Sequence, residues 1–159
     1  MFKQLFLAAI LGVIFFTGTA NAQKYVDEDV VPILIRNSFY DNYTGTYDIS
    51  EGIRWIHTYD NVYTAEYSKS GIKTWITYDE KGSIARTESE IKPNTLPYPV
   101  RENFISLYPN INIDYSGMIE DAENGVLYRL GYSPADAAPG SPRTYIYYKE
   151  DGTKFDWKY

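Results

Sequence analysis

The stretch TWITYDEKGS, residues 74–83, returns in altered spelling as TYIYYKEDGT, residues 144–153. In both, alternating Thr, Ile and Tyr lead into an acidic turn that closes on glycine, the pattern of a β-hairpin. Sliding the chain along itself extends the match. Arg36, Phe39 and Tyr43 fall on Arg101, Phe104 and Tyr108, and Tyr63 and Tyr67 fall on Tyr128 and Tyr132, at one common offset. Thr74, Ile76, Tyr78 and Gly82 meet Thr144, Ile146, Tyr148 and Gly152 at a slightly longer one. SPADAAPGSPR, residues 133–143, absorbs the difference as a loop in place of the short SKSGIK turn.

Outward from that pair, each copy opens with a helical stripe. Val31, Ile35 and Phe39 recur at four-residue spacing with Leu34 beside them, and Pro32 is tolerated near a helix start, where its missing N–H costs nothing. Val100, Phe104 and Leu107 form the second stripe, in a helix of about 99–108 that Pro109 ends. After each helix the period becomes two. RWIHTYD, VYTAEYS, IKTWITYD and SIARTESEI follow the first, and INIDYSGMIED, GVLYRLGYS, RTYIYYKED and TKFDWKY the second. Turns this short join antiparallel neighbours. The expectation is an α+β fold of two tandem repeats, residues 23–91 and 92–159, each one helix packed on its own four-stranded antiparallel sheet. KPNTLPYP, residues 92–99, links the two.

Residues 1–22 read as a signal peptide: Lys3, an apolar run from Leu5 to Phe16, and Ala20-Asn21-Ala22, with cleavage after Ala22. The run is shorter than the roughly 20 residues that cross a bilayer. The chain has no cysteine, so neither disulfides nor a cysteine lipid anchor is expected, and the location is periplasmic or secreted with no membrane insertion. Asp and Glu number 21 against 15 Lys and Arg, a net charge of −6, and cleavage removes Lys3 as well. An acidic surface disfavours nucleic acid.

His57 is the single histidine, and without cysteine the usual metal sites and nucleophile–histidine machinery lack their parts. It reads as an ordinary strand residue rather than a pH sensor. Glu88 with Glu90, and Glu120 with Asp121 and Glu123, are the densest carboxylates and read as a solvated edge. The acidic turns at 79–82 and 150–152 lack the ligand spacing of a calcium loop. No catalytic residue, metal or cofactor is assigned. The alternation sets Thr64, Glu66, Lys73, Trp75 and Thr77, and in the second copy Arg129, Tyr145, Tyr147 and Lys149, on a face away from the helices. Trp55, His57 and Tyr59 alternate together and join this face in the same reading. Trp55, Tyr59, Trp75, Arg129, Tyr145 and Tyr147 are the candidate binding residues. Tyrosine and tryptophan in that position are either covered by the other copy or the long loop, or form an exposed patch of the residue types that dominate binding surfaces.

Two units with helices ending F-x-x-x-Y, the Y-D-x-x-G turn, and Thr87-Glu88, Ile91 and Leu96-Pro97 at the junction resemble the β-lactamase-inhibitor-like, PepSY-like proteins of Bacteroidetes-type bacteria. That resemblance implies an exported, β-lactamase-inhibitor-protein-like architecture without catalytic residues. Fold alone does not fix function. The expectation is a non-enzymatic binding module for an envelope or secreted protein. Alternatives are a glycan or small ligand on the same aromatics, and a hydrolase built on paired carboxylates.

Overall fold

The computed structural model describes residues 24–43, 52–59, 61–134, 136–138 and 141–157, with the side chain of Tyr59 excepted. The segment read as a signal peptide lies outside them. Strand β1 (Lys24–Val26) and helix α1 (Ile33–Tyr43) come first. Four strands follow: β2 (Arg54–Tyr59), β3 (Val62–Lys69), β4 (Ile72–Tyr78) and β5 (Ile84–Glu90). A 3-10 turn (Pro93–Thr95) and helix α2 (Tyr98–Leu107) lead to β6 (Tyr115–Asp121), β7 (Gly125–Tyr132), β8 (Thr144–Lys149) and β9 (Lys154–Phe155).

These strands form one antiparallel sheet of nine, in chain order. The expectation of two helix-on-four-strand units with separate sheets is therefore wrong. Arg86–Glu90 of β5 pair with Gly117–Asp121 of β6 and fuse what would have been two sheets. The proline-rich segment does not part the sheet. It folds into the 3-10 turn and the start of α2, and the chain comes back beside the strand it left. Ile91 N donates to Ser116 O at 2.9 Å and Ser116 Oγ to Ile91 O at 2.7 Å, sealing that junction.

Register carries one face across the whole sheet. Thr74 pairs with Ser89, Ser89 with Met118, Met118 with Tyr128 and Tyr128 with Tyr148. Both helices cover this face. Val31, Ile35 and Phe39 pack on Trp55, Ala65, Tyr67, Ile76 and Tyr78. Leu96, Val100 and Phe104 pack on Tyr128, Leu130, Tyr132, Ile146 and Tyr148. Between the two clusters the same face carries Thr87, Ser89 and Ser116, and the hydroxyls of Thr74 and Ser89 lie 3.4 Å apart. Two apolar cores on one sheet, separated by small hydroxyl residues, thus read in the sequence as two units. Leu34 and Leu107, assigned to the buried stripes, are exposed on the outer sides of the helices.

The repeated hairpin has a physical reason. Asp79 Oδ1 accepts from the N–H of Lys81 and Ser83 at 2.9 and 2.8 Å, and Asp151 Oδ1 accepts from Thr153 N–H at 2.8 Å, so each turn is pinned by its aspartate. These bonds hold the exposed Asp151 carboxyl below its usual pKa. Gly82 and Gly152 close the turns at φ +78° and +83°. A Cβ at Gly82 would lie 3.1 Å from Leu34 O, and one at Gly152 2.6 Å from Pro99 O. Each turn fits beneath the first turn of a helix, and glycine meets both demands, left-handed backbone and missing side chain.

Candidate binding face

The face opposite the helices is built around one row of residues. Arg54 of β2 pairs with Glu66 of β3, Glu66 with Trp75 of β4, Trp75 with Glu88 of β5, and Glu88 with Ile119 of β6. An indole thus stands between two carboxylates. Glu88 is only 7 % exposed. Tyr115 OH donates to its Oε1 at 2.7 Å, and Arg129 Nη2 reaches the same oxygen at 2.7 Å. Arg129 in turn lies between two rings, its guanidinium carbon 5.0 Å from the centre of Tyr115 and 4.8 Å from that of Tyr145. Trp75 meets Tyr115 edge-on at 6.4 Å, and Tyr145 does so at 6.1 Å.

Two glycines make the cluster possible. A Cβ at Gly117, directly across from Arg129, would meet Glu88 Oε1 at 2.6 Å and Tyr115 OH at 2.7 Å. One at Gly131 would meet the Tyr145 ring at 2.7 Å. Burial, then the charge and hydrogen bond of Glu88, push the Tyr115 phenol well above its usual pKa. For Arg129, burial acts to lower the pKa, but Glu88, Tyr115 and Tyr147 outweigh it and raise it further. Both groups keep the protonation states that the network needs.

The other end of the row repeats the chemistry more openly. Arg54 is ion-paired with the buried Glu66, Tyr25 OH donates to Glu66 Oε2 at 3.3 Å, and the Arg54 guanidinium carbon lies 5.0 Å from the centre of the Tyr25 ring. At the far side, Trp157 rests against Tyr147 at 5.5 Å and over Arg86 at 4.8 Å. Ile119 and Leu127, on this same face, are fully buried.

Of the six candidates, Trp75, Arg129, Tyr145 and Tyr147 come together here. Tyr145 is 43 % exposed, while the other three are half-buried. Trp55 does not join them. Its partner across the ladder is Ala65, which places it under α1, 2 % exposed and edge-on to Phe39 at 5.6 Å. His57 shares that side and stacks on Tyr63 at 4.8 Å. The side chain of Tyr59 lies outside the described residues. Glu88, read as part of a solvated edge, is instead buried and paired, whereas Glu90 is exposed. Tyr115, Tyr25, Arg54, Trp157 and the two glycines were not singled out in the sequence. The pairing of Trp75 with Glu88 would have exposed them, and register between strands is not written in any single strand. Among the described residues no group of acidic or histidine side chains is arranged to hold a metal ion, and no helix is long and apolar enough to cross a membrane.

Neither a family model nor a curated protein matches the chain. Solved structures do. A DUF2874 family protein from Bacteroides uniformis ATCC 8492 superposes with a TM-score of 0.66 at 15% identity, covering 79% of this chain and 86% of that one. A candidate periplasmic protein from Bacteroides eggerthii DSM 20697 gives 0.65 at 12% identity, over 79% and 86%. A BLIP-like protein from Bacteroides fragilis NCTC 9343 gives 0.60 at 20% identity, over 83% and 91%. At these identities the likeness is one of fold, and the chain is similar to DUF2874 and BLIP-like proteins in its architecture.

Proposed function

We propose that this chain is an exported, non-enzymatic binding module that holds a protein partner on the sheet face opposite its helices. The observation that carries the reading is the row in which Trp75 stands between the arginine-paired Glu66 and Glu88, with the exposed Tyr145 joined to it through the Tyr115 ring. Groups fixed in this way lose little conformational freedom when a partner arrives. The same row argues against a hydrolase. A carboxylate pair acting on a bond needs a cleft between its members and one acid free to donate a proton, whereas here an indole occupies the space and each carboxylate is tied to an arginine. Export is supported by the apolar run of residues 5–16 and by the likeness to a candidate periplasmic protein.

The test is retention of envelope proteins by immobilised protein carrying Trp75→Ala and Tyr145→Ala together, beside wild type. The reading expects a folded variant by circular dichroism that loses the partners wild type retains. Retention of the same partners by the folded variant would remove the face from consideration, and an unfolded variant would mean that these rings are structural.

A further inference from the structure

Resting on that reading and deepening it, we propose that the face takes an acidic polypeptide, whose carboxylates meet Lys73 and Lys149 while its side chains pack on Trp75. By register Arg54, Lys73, Arg86, Arg129 and Lys149 all stand opposite the helices. Among the described residues, the strands set the carboxylates of Glu66, Glu88, Glu90 and Asp121 on that face, and the exposed Asp151 of the adjoining turn interacts electrostatically with Lys149. Glu66 and Glu88 are buried against Arg54 and Arg129. Asp121 Oδ1 accepts from the N–H groups of Glu123 and Asn124 within its own turn. Of the four, Glu90 alone is exposed. Lys73 and Lys149 are exposed and, among the described residues, enter no ion pair.

In a molecule of net charge −6, this face thus sets five cations against four carboxylates beside its aromatic rings, with Lys73 and Lys149 exposed. Complementary potential of this kind steers encounter and selects the sign of the partner. Arg54, Glu66, Ser68 and Lys73, with Gly52 and Tyr67, line a recess next to Trp75 that brackets two of the cations. Trp157 already rests on this face with the Arg86 guanidinium carbon 4.8 Å from its ring centre, while the exposed Asp156 before it pairs with Lys154 at 3.6 Å. Densely charged polyanions would meet the acidic remainder of the molecule, whereas a polypeptide can bring carboxylates and apolar side chains together.

The experiment titrates the protein from residue 23 onward with poly-L-glutamate, polygalacturonate and poly-L-lysine in turn, following backbone amide resonances at low and moderate salt. Poly-L-glutamate is expected to shift amides of β3, β4, β5 and β8 around Trp75 and Tyr145 and to bind more weakly as salt rises. Lys73→Glu with Lys149→Glu, in a protein that keeps its fold, is expected to weaken that binding on the order of tenfold. Shifts confined to the helix side, no shifts at all, or unchanged affinity in the double variant would overturn the proposal. Tighter binding of polygalacturonate on this face would overturn it in favour of an acidic glycan. Poly-L-lysine binding there in place of poly-L-glutamate would defeat the acidic partner and leave the face itself standing.

Discussion

Replacing Glu88 by glutamine tests whether the Glu88–Arg129–Tyr115 cluster is as interdependent as its geometry demands. The carboxylate accepts from both Tyr115 and Arg129 and is almost wholly buried. Breaking a buried pair typically costs 3–5 kcal/mol, because the remaining charge is left without a partner. A quarter of the Arg129 side chain stays in contact with solvent, which relieves part of that penalty. The expected loss for Glu88→Gln is therefore about 3 kcal/mol. Glu66→Gln is the internal comparison. Its partner Arg54 has 55% of its side chain exposed and can return to water, so about 1 kcal/mol is expected. Arg129→Met should cost about 2–3 kcal/mol, and adding it to Glu88→Gln should cost less than the sum by about 1–2 kcal/mol, since the second change removes a charge already orphaned. Urea unfolding with an unchanged denaturant slope measures all four. Equal costs at Glu66 and Glu88, or additive costs at Glu88 and Arg129, would refute the reasoning.

Three further outcomes follow from the same geometry. Gly125→Ala, at φ +73° in open space, should lose only about 1 kcal/mol to backbone strain, while Gly152→Ala adds a clash with Pro99 and should lose about 3 kcal/mol by denaturant titration. Trp55→Ala empties core space and should cost about 3–5 kcal/mol, whereas Trp75→Ala should cost well under half as much in thermal or chemical unfolding, because its ring is half-buried. Burial, followed by the neighbouring tyrosines, pushes the phenols of Tyr67 and Tyr148 up to about 12. Both ionise near 10 in the unfolded chain, so the folded state holds these protons more tightly. Stability should be whole below pH 10 and fall between pH 10 and 12, with absorbance of ionised tyrosine rising together with unfolding. Titration of every tyrosine near pH 10 with the fold intact would contradict this.

Much of the layout could be read from side-chain period. The strands β2 to β8 lie where alternation put them, and the face of Trp75, Arg129, Tyr145 and Tyr147 follows from counting by two. What failed shares one cause. Period within a strand says nothing of which strand lies beside it, so neither strand carries a sign of the pairing of β5 with β6, and a single sheet reads as two. For the same reason alternation alone does not assign Trp55 to its face. Its alternation with His57 and Tyr59 is real, but only its place opposite Ala65 decides which side of the sheet it occupies. Glu88 reads as solvated because a carboxylate in an alternating strand shows no partner until the fold brings Arg129 and Tyr115, distant in sequence, against it. Gly117 and Gly131 had no local signal at all. Their role is to leave room for side chains of other strands.

The most direct measurement of where this protein binds is photo-crosslinking in its own envelope fraction, with p-benzoylphenylalanine placed at Lys73 on the proposed face or at Leu34 on the outer side of α1. Crosslinks to a partner from position 73 and none from position 34 are the predicted result. Crosslinks to that partner from position 34 alone would contradict the assignment of the sheet face as the binding surface.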